Sequence, residues 1–180
     1  MRITSGIFGG RNLLVPKTED IRPTQDRVRE ALFSMLMAVV PGAEVLDLFA
    51  GTGAFGLEAI SRGAKSATFV EQNRKHVEVL KKNCEAIFRG QECPRPCDIV
   101  CADATKFNCG RQFDVVFMDP PYAMWGEIAP RVDLVKDGGI LILESDGRGV
   151  DWPCRGVEVE KDRTYGKTRI LIYRKVAENA

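Results

Sequence analysis

Five short apolar runs, at 44–49, 66–71, 98–101, 113–118 and 139–144, recur along the chain, and segments of helical periodicity separate most of them. Apolar runs of that length read as strands buried on both faces. Strands of that kind, spaced by amphipathic helices, predict a mostly parallel sheet with helices on both faces. After the run 44–49 a glycine loop leads into a helix through about Ser61. A second helix is expected over 75–88, with Val77, Leu80, Cys84 and Ile87 on one face. A short helix is expected over 127–135. The segments 156–161 and 168–174 read as a closing antiparallel pair. Upstream, 1–15 reads as two short strands turning at Gly9-Gly10, and 16–23 as a loop broken by Pro16 and Pro23. Thr24 then caps a helix over 25–39, with Val28, Leu32, Phe33 and Leu36 at helical spacing, ended by Pro41-Gly42.

This pattern defines an α/β fold in a single domain over 1–180. Residues 1–17 form an N-terminal hairpin extension, 24–39 the N-terminal helix with its cap, and 43–180 the core. Doubly wound sheets bind ligands at the carboxyl ends of their strands. The chemically unusual residues of this chain all follow strands.

Gly51, Gly53 and Gly56 match G-x-G-x-x-G between a strand and a helix, and Glu71 stands twenty residues after Gly51. Glycines there let the backbone approach a ligand, and the acid is placed to accept hydrogen bonds from ribose hydroxyls. The loop leaves open a nicotinamide dinucleotide, S-adenosylmethionine, or a tight turn with no ligand. Asp47 helps to separate them. A carboxylate at the strand end would repel a pyrophosphate and suits the cationic amino-acid end of S-adenosylmethionine. The plainer role for Asp47 is a buried acid satisfied by amides of the turn. Asp103 either accepts from an adenine amine or caps a helix. The expected cofactor set comprises Asp47, Phe49, Ala50, Gly51, Gly53, Glu71, Gln72, Asp103, Ala104 and Asp119.

The most specific element is Asp119-Pro120-Pro121-Tyr122, directly after the apolar run 113–118. Prolines fix φ and carry no amide hydrogen, so their carbonyls stand in a preset geometry. Asp119 and the Pro120 carbonyl make two acceptors for an NH2 group, and Tyr122 offers a face on which an extruded base can stack. Asp119, Pro120, Pro121 and Tyr122 are therefore the expected catalytic residues, and the reaction is methyl transfer to an exocyclic base amine. The alternative is a Pro-Pro turn that merely ends a core strand. The motif does not separate adenine from guanine. No histidine is needed, since the amine can release its proton to water through Asp119, and His76 reads as a helix-surface residue.

Charge is uneven despite a net of +1. Residues 1–17 carry Arg2, Arg11 and Lys17 and no acid. Residues 161–175 carry Lys161, Arg163, Lys167, Arg169, Arg174 and Lys175 against Asp162 alone. Basic ends of this kind read either as solvated edges or as the footprint of a polyanion. No apolar stretch follows Met1-Arg2-Ile3-Thr4-Ser5-Gly6, and no run is long enough to span a bilayer. A cytoplasmic protein with no membrane partner is expected, its six cysteines reduced and partly buried. Cys93 and Cys97 lack paired C-x-x-C knuckles, so no metal site is expected.

Taken together, these residues resemble the RsmD family of bacterial 16S ribosomal RNA guanine-N2 methyltransferases. The likeness runs through Arg2-Ile3 with Gly6 and Gly10-Arg11, the run Arg22-Pro23-Thr24 to Phe33, Leu46 to Gly53 with Gly56 to Ala59, Asp119 to Tyr122, and Tyr165 to Thr168. The Arg-Pro-Thr segment discriminates best, because base-amine methyltransferases in general share only the glycine loop and the Pro-Pro motif. The resemblance implies a Rossmann-like class I methyltransferase with a seven-stranded sheet and a small N-terminal β-hairpin. It places Arg22 and Thr24 near the methionine end of S-adenosyl-L-methionine. It makes Arg2, Arg11, Arg27, Arg29 and Lys167 candidates to hold phosphate. The implied partner is 16S rRNA within a small ribosomal subunit or assembly intermediate, acted on by a monomer. The competing classes are an adenine-N6 or other base-amine methyltransferase on DNA or another RNA, a dinucleotide-dependent oxidoreductase, and a non-catalytic RNA-binding module.

Overall fold

The computed structural model describes residues 1–16, 23–89, 96–120, 124, 131–145 and 155–177, the side chains of 23–25 excepted. Seven strands make one sheet: β1 (Glu44–Asp47), β2 (Ser66–Val70), β3 (Cys97–Val100), β4 (Phe113–Met118), β5 (Val135–Ser145), β6 (Val157–Tyr165) and β7 (Thr168–Lys175). Their order is β3-β2-β1-β4-β5-β7-β6. The first five are parallel, and β7 inserts antiparallel between β5 and β6. The chain runs outward from β1 to β3 and then returns to place β4 on the other side of β1. That reversal opens a crevice above the carboxyl ends of β1 and β4.

Side chains alternate across the sheet. Val45, Phe69, Val115, Phe117, Ile140, Ile142, Ile170 and Ile172 face one core. Leu46, Val70, Val116, Met118, Leu141, Leu143, Leu171 and Tyr173 face the other. Three helices, α1 (Pro23–Met35), α2 (Ala54–Ser61) and α3 (Arg74–Ile87), cover the first face. Among the described residues the second face is covered by Ala104, Phe107, Met124 and the 3-10 turn Val132–Leu134.

Several expected boundaries move for local reasons. α1 begins at Pro23, whose preset φ and missing N–H suit a first helical position, so Thr24 lies inside the helix and is not its cap. It ends at Met35 and not at 39. β-branched Val39 and Val40 precede Pro41, which disfavours helical backbone, and the chain tightens into turns. The expected helix over 127–135 is corrected at its end: Val132–Leu134 is one 3-10 turn, and Val135 pairs with Phe113 in β5. Residues 125–130 lie outside the described residues. β5 therefore starts four residues before 139, because a bulge between the Val135 and Ile140 pairings lets it continue past Gly138, whose φ is +74°. α3 is capped by Asn73, which accepts the Lys75 N–H at 3.0 Å.

The N-terminal hairpin is reduced to one antiparallel bridge, Arg2 to Asn12. Its turn is longer than Gly9-Gly10 because residues 5–10 dock on the end of α2. Ile7 donates its N–H to the Ser61 carbonyl, and Phe8 to the Ser61 hydroxyl. Gly6 has φ +83°, and a β-carbon there would fall on the Ser61 backbone. Ile3, Phe8 and Leu13 are buried beneath the turn.

Glu58 on α2, with no solvent exposure, ties these parts together. Its carboxylate accepts from the Thr4 N–H (2.7 Å), the Thr4 hydroxyl (2.6 Å), the Ser5 N–H (3.1 Å), Arg62 Nε (2.7 Å) and Arg29 Nε (3.5 Å). Arg29, on α1, is itself buried and pairs with Asp26 at 2.9 Å. Glu58→Gln sets an amide NH2 among five donors and leaves Arg29 with Asp26 as its one acidic partner among the described residues, and is expected to cost about 3–5 kcal/mol of unfolding free energy in urea denaturation. A loss below about 1 kcal/mol would show that the cluster does not hold the hairpin, α1 and α2 together.

Candidate functional site

The loop between β1 and α2 turns on its glycines, and each does a different thing. Gly51 has φ +51° with open space where a side chain would stand. Gly53 has φ +83°, precedes α2, and its β-carbon would strike Leu80. Gly56, one turn into α2, lies against the Phe69 ring, so a β-carbon there would push the helix off the sheet. The loop is tied down from two sides. Asp47 Oδ2 accepts the Gly56 N–H at 3.0 Å from below. Glu71, just past β2, accepts the Gly51 N–H at 2.8 Å and the Asn73 N–H at 2.7 Å.

Above this loop lies a cleft of about 280 Å³ lined by Leu48, Phe49, Gly51, Val70, Glu71, Gln72, Asn73, His76, Asp103, Ala104 and Asp119. Seven of the expected cofactor residues thus meet in one place: Phe49, Gly51, Glu71, Gln72, Asp103, Ala104 and Asp119. Ala50 and Gly53 are buried in the body of the loop. Asp47 is not in the cleft wall. It is buried under the loop and holds Gly56, the plainer of its two expected roles. Arg22, Pro121 and Tyr122 lie outside the described residues, as does the Thr24 side chain. Pro120 is buried.

His76 corrects an expectation. It faces the cleft, with Nδ1 3.9 Å from Glu71 Oε1, and is no mere helix-surface residue. The legible signal was its place in the first turn of the helix that follows the acidic end of β2. Leu48, Val70 and Asn73 also join the wall, each adjacent in sequence to an expected residue or one position removed from it.

Asp103 Oδ1 accepts from the Thr105 N–H (2.9 Å) and hydroxyl (2.8 Å), and these bonds hold its carboxyl below its ordinary range. It closes a turn and lines the cleft at once. Burial raises Asp47 to about 7, with the Glu71 charge adding to it and the Gly56 bond opposing. Asp119 opens toward the cleft, yet protein crowds its carboxyl and lifts it well above the carboxylate range, with the charges of Glu144 and Asp47 raising it further.

The expected phosphate-binding residues divide. Arg2, Arg11, Arg27 and Lys167 are exposed. Arg11 lies over the Phe8 ring, 5.0 Å from its centroid. Arg29 is a correction: it is buried, donates to the Arg2 carbonyl, and pairs with Asp26 and Glu58, so it is spent on the interior. The basic character of 161–175 is also reduced by acids outside or across that stretch. Arg169 pairs with Asp162 (2.8 Å), Arg174 with Glu160 (2.7 Å) and Lys175 with Asp137 (3.2 Å). Cys84 is buried in the core and Cys101 and Cys109 are exposed; Cys93 and Cys154 lie outside the described residues. Among the described residues no three His, Cys, Asp or Glu gather as a metal site, and no helix is long and apolar enough to cross a membrane.

Comparison with known proteins agrees with this geometry. The family model for conserved hypothetical protein 95 matches residues 1–174. Ribosomal RNA small subunit methyltransferase D of Escherichia coli K12 is 33% identical over 187 residues, covering 99% of this chain and 91% of that protein. The solved structure of a putative methyltransferase, yhhF, from Escherichia coli superposes with a TM-score of 0.84 at 31% identity, covering 99% of each chain. That of a putative methylase, HI0767, from Haemophilus influenzae gives 0.76 at 29% identity, covering 98% of each.

Asp47 yields a test of the site's electrostatics. Its folded value of about 7 lies above the ordinary carboxylate value of an unfolded chain. Its contribution to stability is therefore full below about pH 4 and is lost as pH rises through about 7. Asp47→Asn keeps an acceptor for Gly56 and removes that titration. Its unfolding free energy should fall less steeply than the wild type's between about pH 4 and 7. Equal slopes in urea melts would show that Asp47 is ionised in the folded protein throughout.

Proposed function

Because the chain belongs to the RsmD-like family described as conserved hypothetical protein 95, we propose that it transfers a methyl group from S-adenosyl-L-methionine to the exocyclic N2 amine of a guanine in 16S ribosomal RNA. The observation that carries this reading is that Asp119, at the carboxyl end of β4, lines the same cleft as Glu71 and Asp103. One crevice thus joins acceptors for a nucleoside cofactor to an acceptor for the substrate amine.

The donor set fits that cofactor. The described cleft wall holds three carboxylates, apolar Leu48, Phe49 and Val70, and no Lys or Arg. A pyrophosphate there would meet acids and no Lys or Arg, which disfavours a dinucleotide, whereas a sulfonium is attracted. Glu71 accepts one N–H on each oxygen in the protein and keeps lone pairs for ribose hydroxyls. Asp103 commits Oδ1 to Thr105, and its Oδ2, 4.0 Å from the exposed Lys106 Nζ, is the oxygen left to accept from an adenine amine. When bound, the cofactor supplies an electrophilic methyl group. Asp119 and the Pro120 carbonyl accept the two amine hydrogens, orient the nitrogen, and draw electron density onto it. The proton the amine loses passes to the Asp119 carboxylate and then to water. Tyr122 stacks on the base, which must be unpaired or flipped to enter. Arg2, Arg11, Arg27 and Lys167 hold phosphate. The protein acts as a cytoplasmic monomer on the RNA within a small subunit or assembly intermediate.

Tritiated methyl transfer to naked 16S rRNA, free small subunits and whole ribosomes, followed by nucleoside analysis, should yield N2-methylguanosine; N6-methyladenosine would overturn the choice of base. Asp119→Ala should lower kcat by about 10²-fold or more with cofactor Kd nearly unchanged. Activity within a few-fold of wild type would remove its acceptor role. Glu71→Ala should raise the cofactor Kd about tenfold in calorimetry, and an unchanged Kd would refute the ribose assignment. RNA affinity should fall steeply with salt, and Arg27→Ala or Lys167→Ala should each lower the slope by about one. A flat salt dependence would count against the phosphate contacts.

A further inference from the structure

Beyond β4, the register places a second acid beside Asp119. Met118 of β4 pairs with Leu143 of β5 in parallel, so the next residues, Asp119 and Glu144, are neighbours at adjoining strand ends. Their faces agree as well. Phe117 and Ile142 lie in the helix-covered core, and Met118 and Leu143 in the opposite one. By alternation Asp119 and Glu144 both stand on the helix-covered face, on strands about 4.8 Å apart. Asp47, paired with Phe117 across β1 and β4, shares that face. Three carboxyls thus sit at the ends of three adjacent strands.

Among the described residues, the charged groups packed around them are few. From α1 comes the buried Arg29, itself held by Asp26 and by Glu58 of α2. From past β2 comes Glu71, which acts on Asp47. β7 presents Ile170 opposite Glu144, and the flanking Arg169 is paired with Asp162. Among the described residues one cation, Arg29, is thus set against several acids, and like charges on neighbouring strands do not both ionise freely.

We propose that Glu144 is a positioning residue for Asp119, the two carboxyls holding one proton between them so that Glu144 sets the pH at which Asp119 becomes an ionised acceptor. Glu144 faces Arg29, which favours its charged form against a burial that lifts it to about 7. Its charge then helps to retain the proton on Asp119, whose carboxyl is raised well above the ordinary range by the protein packed around it and by the charges of Glu144 and Asp47. While protonated, Asp119 accepts weakly and cannot take the amine's proton. Loss of that proton switches the acceptor on. This inference deepens the methyltransferase reading and rests on it for its consequence in turnover.

The test reads the pair directly and through turnover. In ¹³C-carboxyl NMR titration of the wild-type protein, Asp119 and Glu144 should titrate in two linked steps, with Asp119 above the ordinary carboxylate range. In Glu144→Gln, Asp119 should titrate in one step, at least about one unit lower. The acidic limb of the methyl-transfer rate on small subunits should move down with it, and Glu144→Asp should return it toward the wild-type position. Asp119 titrating in the ordinary range in the wild type, or unmoved in Glu144→Gln, would overturn the proposal. If Glu144→Gln does not fold, the wild-type titration and Glu144→Asp still decide it. Failure of the wild type to methylate any 16S rRNA substrate would instead strike the functional reading, while the NMR titration would still report on the carboxyl pair.

Discussion

The carboxylate of Glu58 is the point at which the N-terminal turn, α1 and α2 are tied together. A buried charge is tolerated only when donors replace the water it has lost. Here five donors do so, drawn from the N-terminal turn, α1 and the end of α2. Each brings a segment into a fixed place. Thr4 and Ser5 anchor a hairpin too short to hold itself by strand pairing. Arg62 lies over the Phe33 ring and joins α2 to α1. Arg29 fixes α1 so that its own charge stands over the strand ends. Because Gly53 caps the start of α2, the same helix also sets the geometry of the glycine loop.

The carboxyl ends of β1, β4 and β5 show why such an arrangement is useful. Asp47, Asp119 and Glu144 gather acids where, among the described residues, one buried cation is shared among several. Such a site is costly while all its acids are ionised, and it relaxes either by holding protons or by taking up a cation. The raised values of all three carboxyls are the first of these responses. Arg29 cannot neutralise the cluster, since Asp26 and Glu58 already engage it. The strand ends therefore favour positive charge in the crevice, which is the opposite of what a phosphate-binding glycine loop requires.

Much of this was legible in the chain before any coordinates. The strand 113–118 was placed to the residue, because a continuous apolar run bounded by Asp119 and Pro-Pro leaves little latitude. The glycine loop, Glu71 and Asp103 were found because strand ends are where a parallel sheet exposes its backbone. Other features depended on partners distant in sequence. Nothing local marks Arg29 as buried: it sits in an Arg-rich helix start, and only Glu58, twenty-nine residues on, makes it an interior residue. The pairing of Lys175 with Asp137 and of Arg174 with Glu160 hides a basic tail in the same way. Val135 was assigned to a helix because periodicity cannot see a bulge that lets a strand begin early. His76 was passed over because its helical face points both outward and toward the cleft.

The division of labour between loop and strand ends bears on how such sites choose a ligand. Gly51, Gly53 and Gly56 satisfy constraints common to any nucleoside-binding turn: positive φ at two positions and close contact with Phe69 at the third. These are steric demands and say little about charge. Charge is decided one layer away, by Asp47 beneath the loop, Glu71 at its flank, and Asp119 with Glu144 across the crevice. Substituting the glycines would destroy the site without changing what it prefers. Altering the acids would change that preference while leaving the backbone path in place. The glycine signature therefore identifies where a ligand binds, and the carboxyls at the neighbouring strand ends identify its chemistry.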